Sequence, residues 1–336
     1  MTAAGPELLI VGPSWLGDAV MMGALVLRLK AADPTGRITV LTPAHLDDLV
    51  KRLPGVDATV INPFAHGALK LGERRRFGRS LKGRFYEAFV LPHSWKSALV
   101  PVFAGIPRRI GFVGEARYLV LTDARPLDEK ALPRMVDRFC LLTEPRGTTA
   151  PSQSPIPRLE SDPGQTAAVL ARLGLDGARG VALCVGAEYG PAKRWPAAHF
   201  AALATRLAAA GFEPWLIGGP GDAPIGAEVV VLAPAARDLT GKTSMGEAID
   251  LIAAARAVVS NDSGLMHVAA ALGRPVVALY GSTSPAFTPP LSPDAMILSE
   301  NVDCSPCFER VCPLGHFKCL NGLSPDRVWA AVRELL

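Results

Sequence analysis

The stretch SNDSGLMHVAAALGRPVVALYG, Ser260 to Gly281, decides how the chain folds. The apolar run Ala257-Val258-Val259 breaks off at Asn261-Asp262-Ser263-Gly264, a helical pattern runs from Leu265 to Gly273, and Pro275 opens a second apolar strand. Strand, tight turn, helix and strand is the building unit of a parallel sheet. Asp262 and Ser263 are good N-cap residues, and Gly264 lets a ligand approach the backbone closely. The free N–H groups of the first helical turn favour an anion there, above all a phosphate or pyrophosphate. His267 falls within that turn and can add a hydrogen bond to the same ligand. The same residues also suit a plain capped helix with a satisfied histidine, and one short motif does not separate the two readings.

Outward from this stretch the pattern repeats. Strand-like runs at Val181 to Val185, Glu213 to Gly218, Ala257 to Ser260 and Val276 to Tyr280 make the second half an alternating α/β unit. The first half reads the same way, with runs at Leu8 to Gly12, Ile38 to Thr42, Ala58 to Ile61 and Ala88 to Pro92. Between them TEPRGTTAPSQSPIPRLESDP, Thr143 to Pro163, is rich in Pro, Ser and Thr and reads as a linker. The boundary is therefore placed near Pro155, giving domains 1–155 and 156–336. The amphipathic segment from Pro325 to Leu336 is expected to pack back across the first domain. Ala19 to Leu27 is about the length of a buried helix and belongs in a core.

A chain of 336 residues accommodates two cores, and 49% hydrophobic with 20% charged residues describes an ordinary globular protein. The 35 basic and 31 acidic residues nearly balance, which excludes the basic signature of a nucleic-acid binder. MTAAGPELLIVGPSW has no basic n-region and only a short apolar run, so neither a signal peptide nor a membrane span is expected and the cytoplasm is the default compartment. The excess of positive charge matters where it concentrates. Lys70 to Arg84 carries seven basic side chains against one acid, Glu73, either as a solvated helix face or as the seat of an anionic partner.

Ligand candidates follow strands, at the carboxyl edges where open α/β sheets bind their ligands. In the second half these are Gly186 to Arg194, Gly218 to Asp222 and Asn261 to His267, whose convergence a nucleotide pocket needs. Lys193 can neutralise a diphosphate, and Gly219 lets a base or ribose lie against the backbone. In the first half the turn Pro13 to Asp18, with Ser14 and Trp15, follows a strand but lacks the three spaced glycines of a dinucleotide fingerprint, which disfavours a nicotinamide or flavin enzyme. His93-Ser94-Trp95-Lys96 follows another strand. Asp18 is the carboxylate placed to take a proton from an acceptor hydroxyl, or else it complements the dipole of the helix it opens. Cys304-x2-Cys307-x4-Cys312-x6-Cys319, with His316 nearby, opens like a zinc knuckle, which makes structural zinc a candidate beside free thiols.

SWLGDAVM, HGALKLGERRRFGRSL, LPHSWKSALVP with AGIPRRIGF, GAEYGPAKRWP, NDSGLMHVAAAL and SPAFTPPLS, in that order along the chain, resemble segments of the lipopolysaccharide heptosyltransferases of glycosyltransferase family nine, in particular those that add the second heptose. The resemblance runs from about Leu8 to Leu291. It implies a GT-B fold, two Rossmann-like domains facing across a cleft, with ADP-L-glycero-D-manno-heptose held by the C-terminal domain. It implies a heptosylated Kdo-lipid A acceptor on the N-terminal domain, at the cytoplasmic face of the inner membrane, and an inverting transfer that requires no metal or other cofactor. Asp18 matches the family's general base, Lys193 its phosphate-binding lysine, and Asp262, Ser263, Gly264 and His267 its nucleotide motif, with Glu188 and Asp222 near positions that contact the nucleotide sugar; Gly186 and Gly219 join them as nucleotide-sugar candidates from their place after strands. Ser14, Trp15, Arg74, Arg75, Arg76, Ser94 and Lys96 then fall to the acceptor, whose phosphates and acidic sugars arginine grips well. A family member with another donor or acceptor, and a nucleotide-sugar-binding protein without transfer activity, are the competing expectations.

Overall fold

The computed structural model describes residues 7–65 and 67–336. Residues 1–6, on which the reading of the N-terminus partly rests, and His66, which opens the quoted basic segment, lie outside them. The chain divides into two compact units, with the boundary between Arg158 and Leu159.

The first unit carries six parallel strands: β1 (Glu7–Val11), β2 (Ile38–Pro43), β3 (Ala58–Asn62), β4 (Phe85–Val90), β5 (Arg108–Phe112) and β6 (Asp123–Arg125). Their order in the sheet is β3-β2-β1-β4-β5-β6. Helices α1 (Leu16–Ala32), α2 (Asp47–Val50), α3 (Leu71–Ser80), α4 (Leu99–Phe103) and α5 (Met135–Leu141) accompany them. α1 is buried from Ala19 to Val26, as its apolar run requires, and α5 packs beside it. The linker segment belongs to this unit because Arg28 of α1 holds it: its guanidinium donates to Thr143 Oγ1 at 2.8 Å and pairs with Glu144, which also accepts the Ser152 N–H at 2.7 Å. The boundary therefore falls at the end of the pinned segment, a few residues after Pro155.

The second unit repeats the design with β7 (Gly180–Cys184), β8 (Glu213–Ile217), β9 (Arg237–Asp238), β10 (Ala257–Asn261), β11 (Val276–Tyr280) and β12 (Ala295–Ser299), again all parallel. The order β12-β11-β10-β7-β8-β9, read from the other edge, matches the first sheet strand for strand. Around it lie α6 (Pro163–Leu173), α7 (Ala197–Ala209), α8 (Ala223–Leu232), α9 (Met245–Ala254), α10 (Gly264–Ala271), α11 (Lys318–Asn321) and α12 (Pro325–Leu335). The apolar face of α12, expected against the first domain, lies in the core of the second: Val328, Ala331 and Val332 are buried with Phe200, Leu203 and Leu207 of α7. Capping by Ser324, whose hydroxyl accepts the Arg327 N–H, fixes where that helix begins.

Each sheet winds outward in both directions from its centre, so its strand order reverses between β1 and β4 and between β7 and β10. At such a point the loops leaving the two central strands diverge to opposite faces and leave a crevice at their carboxyl ends. The first crevice is flanked by Pro13 to Asp18 and Leu91 to Lys96, the second by Gly186 to Lys193 and Asp262 to His267. Among the described residues no helix is long and apolar enough to cross a membrane.

Candidate active site

In the second unit the strand ends bring two distant loops together. Lys193, on the loop after β7, places its Nζ 2.6 Å from Asp262 Oδ2, on the loop after β10. Thr283, after β11, donates its hydroxyl to the same carboxylate oxygen. Asn261 joins the loops beneath this pair: its Oδ1 accepts the Trp195 N–H at 3.0 Å, and its Nδ2 donates to the Val185 carbonyl at 2.9 Å. Trp195 is fully buried and donates its indole N–H to the Leu323 carbonyl at 2.8 Å, so the segment next to Lys193 is anchored in the core. A flexible lysine on an anchored loop thereby acquires a fixed position.

α10 begins beside this pair. Ser263 is its N-cap residue but makes no side-chain cap bond; its hydroxyl lies 3.3 Å from that of Ser260. Asp262 likewise serves the lysine instead of the helix start, so the expected capping gives way to a tertiary contact at Asp262 and to a local hydroxyl contact at Ser263. His267, in the first turns of α10, is buried. Burial pushes its imidazole down to about 4, against the opposing pull of Asp262 and with a smaller push from Lys193. It is therefore neutral near pH 7, able to donate or accept one hydrogen bond per nitrogen but bringing no charge.

Gly186 and Asp222 form a third contact. A Cβ at Gly186 would lie 2.2 Å from Asp222 Oδ2, so only glycine lets the carboxylate sit there. Asp222 also accepts the Gly219 N–H at 2.9 Å, which folds the loop after β8 over the end of β7. Glu188 stands exposed on its loop. Gly186, Lys193, Gly219, Asp222, Asp262, Ser263, Gly264 and His267 thus all lie at the carboxyl edge of one sheet. Sequence reasoning passed over Asn261 as a brace, Thr283 and Tyr189; Thr283 is contributed by a different strand and carries no local signal.

In the first unit Trp15 is the N-cap residue of α1, Ser14 and Trp15 are exposed, and Asp18 is half-buried in the first turn. Ser94 precedes a short 3₁₀ turn, Trp95–Ala98, which it does not cap with its side chain, and Lys96 on that turn is half-buried. The basic run divides. Arg74 is 5% exposed, its guanidinium stacked 4.1 Å from the Phe64 ring centroid and donating to the carbonyls of Leu69 at 2.6 Å and Ala68 at 2.8 Å. The expectation of an acceptor contact is corrected there: Arg74 is itself buried and spends its N–H groups on the carbonyls of the loop that leads into α3. Arg75 and Arg76 face solvent on the same helix and remain open to an anion.

Among the described residues no three His, Cys, Asp or Glu side chains are grouped so as to hold a metal ion. All six cysteines are free thiols. The spacing of the first pair resembles a knuckle, but the later cysteines do not close a four-ligand shell around it.

Residues 74–318 match the sequence profile of glycosyltransferase family 9 (heptosyltransferase). The chain belongs to that family. It is 42% identical over 98% of its own length and of its relative's to lipopolysaccharide heptosyltransferase 2 of Escherichia coli K12. It is 43% identical to lipooligosaccharide heptosyltransferase 2 of Haemophilus influenzae, over 87% of this chain and 88% of that protein. The solved structure of the E. coli ADP-heptose LPS heptosyltransferase II matches it with a TM-score of 0.88 at 40% identity, covering 98% of each chain. This family 9 member is a glycosyltransferase, and its two parallel-sheet units are those of the GT-B class.

Proposed function

We propose that this enzyme transfers L-glycero-D-manno-heptose from ADP-heptose to a heptosylated Kdo-lipid A, with inversion at the sugar's anomeric carbon and without a metal. The observation that carries this reading is the Lys193–Asp262 pair at the crevice of the second sheet, in a chain matched end to end by a heptosyltransferase 2. A cation held beside a helix N-terminus is suited to a sugar diphosphate, which becomes the leaving group.

In this reading the second unit holds the donor. Lys193 and the N–H groups at Ser263 and Gly264 face the diphosphate, while neutral His267 adds a hydrogen bond without competing charge. As the bond between the anomeric carbon and the diphosphate oxygen breaks, negative charge grows on ADP, and these groups stabilise it more in the transition state than before it. Asp18 of the first unit takes the proton of the attacking acceptor hydroxyl. General-base help of this kind contributes roughly 10²- to 10⁴-fold in rate. Arg75, Arg76 and Lys96 suit an acceptor rich in phosphate and acidic sugar, and an anionic inner-membrane surface on the cytoplasmic side is where such a lipid is met.

The test is release of ADP from ADP-heptose by the purified protein, with heptosyl-Kdo2-lipid A, with the acceptor lacking its first heptose, and with no acceptor. Release that depends on the heptosylated acceptor is the expected result. Release with either acceptor removes the acceptor assignment, and failure to bind ADP-heptose removes the donor assignment. Asp18→Asn should keep ADP binding and lose transfer; unchanged transfer would remove Asp18 as the base.

A further inference from the structure

Lys193 enters the donor site already paired. Asp262 matches its charge at 2.6 Å, so the pair brings no net charge to a ligand that ionises on both phosphates. A second cation contacts the same tyrosine ring as Lys193, from the cysteine-rich segment that the catalytic reading left unused. The Arg310 guanidinium carbon lies 5.1 Å from the centroid of the Tyr189 ring, and Lys193 Nζ lies 5.0 Å from the same centroid. Among the described residues Arg310 makes no ion pair, and it is exposed.

The backbone around Arg310 is built to hold it there. Its carbonyl accepts the Ala192 N–H at 3.1 Å, one residue before Lys193. A Cβ at Gly190 would lie 2.4 Å from that same carbonyl oxygen, so the two segments meet at a distance only glycine permits. The Tyr189 hydroxyl donates to the Phe308 carbonyl at 2.5 Å. On the other side the Phe308 N–H donates to the Ser282 carbonyl at 2.7 Å, and the Ser305 hydroxyl donates to the Gly281 carbonyl at 2.6 Å, directly before Thr283. The segment is thus fastened both to the loop that carries Lys193 and to the loop that supports Asp262.

We infer that Arg310 is a donor-binding residue, the second cation for the diphosphate of the nucleotide sugar, held on the Tyr189 ring until the ligand arrives. This deepens the proposed function and rests on its donor-site assignment. Arginine suits the task because its planar fork can stay on an aromatic face while directing N–H groups at phosphate oxygens. Losing such a charge-assisted contact weakens binding by roughly 10- to 100-fold.

The experiment measures binding of ADP and of adenosine by calorimetry to the wild-type protein, Arg310→Gln, Arg310→Lys and Lys193→Met, with kcat and KM for ADP-heptose determined in parallel. The expected result is ADP affinity reduced at least tenfold in Arg310→Gln, adenosine affinity unchanged, partial recovery in Arg310→Lys, and a rise in KM. Equal losses for ADP and adenosine, with no recovery in Arg310→Lys, would assign Arg310 a structural part and overturn the inference. Wild-type affinity for ADP in Arg310→Gln, with a clear loss in Lys193→Met, overturns the inference and leaves the donor site standing. A wild-type protein that does not prefer ADP to adenosine overturns both.

Discussion

Lys193 Nζ and Asp262 Oδ2 lie 2.6 Å apart, with 14% of the lysine side chain and 3% of the aspartate side chain exposed, and they join loops that follow two different central strands. The asymmetry in exposure sets the outcome of breaking the pair. Lys193→Met leaves a buried carboxylate that keeps the hydroxyl of Thr283 but loses its cation, which should cost about 3 kcal/mol. Asp262→Asn leaves a lysine that can turn toward water and keeps an acceptor oxygen, so its cost should be smaller. Urea unfolding of both variants checks the order.

His267 makes the stability of the second unit pH-dependent in a defined window. Its imidazole ordinarily titrates at 6.5 and burial depresses it to about 4 in the fold. The folded state holds it neutral while the unfolded chain takes up a proton, so this contribution is complete above 6.5 and is lost as pH falls toward 4. The slope is about 1.4 kcal/mol per pH unit across that interval. Thermal unfolding of wild type and His267→Gln between pH 7.5 and 4.5 should show a steeper fall in the wild type; parallel curves would contradict it.

Neighbouring arginines on α3 should behave differently. Arg74→Ala removes the ring contact with Phe64 and leaves two carbonyls of the preceding loop without their donor, costing about 1–3 kcal/mol. Arg75→Ala and Arg76→Ala are surface changes and should stay within about 0.5 kcal/mol of wild type. Binding to vesicles containing anionic lipid should fall in the double variant Arg75→Ala/Arg76→Ala at low salt and converge with wild type at high salt. Denaturation midpoints and vesicle sedimentation, measured on the same samples, separate the two effects.

The cysteines should sort by reactivity. Backbone N–H groups of Phe317, Leu314, His316 and Gly315 hold the Cys312 thiol below its ordinary range. Burial pushes Cys140 up to about 11 and Cys184 up to about 12. Iodoacetamide at pH 7 should therefore label Cys312 first and leave Cys140 and Cys184 unmodified until the protein unfolds. Peptide mass spectrometry over a time course reads this directly.

Much of the second unit was legible because its central strands are uninterrupted apolar runs and its loops carry glycine, proline and capping residues. Val181 to Val185 and Val276 to Tyr280 can be buried on both faces only in the middle of a parallel sheet. Four outer strands, β5, β6, β9 and β12, were missed for the same reason in reverse, whereas the edge strand β3 was read from its apolar run. β5 opens with Arg108 and Arg109, β6 is three residues long and β9 two, and β12 is only partly buried. In β4 the early residues were hidden by Glu87, which sits in the strand as a buried acid paired with Arg108 at 2.8 Å.

Local sequence determined the two α/β halves, the strand-to-helix turns and the residue types at the carboxyl edges, because hydrophobic period and turn chemistry act over a few residues. Tertiary structure alone decided what those residues do. It turned Asp262 from a helix cap into the partner of Lys193, and it buried Arg74 while leaving Arg75 in water. It also brought Arg310 within reach of Tyr189, more than a hundred residues away along the chain. Such assignments depend on which loops the strand order brings side by side, and that order is set by packing between segments far apart in sequence.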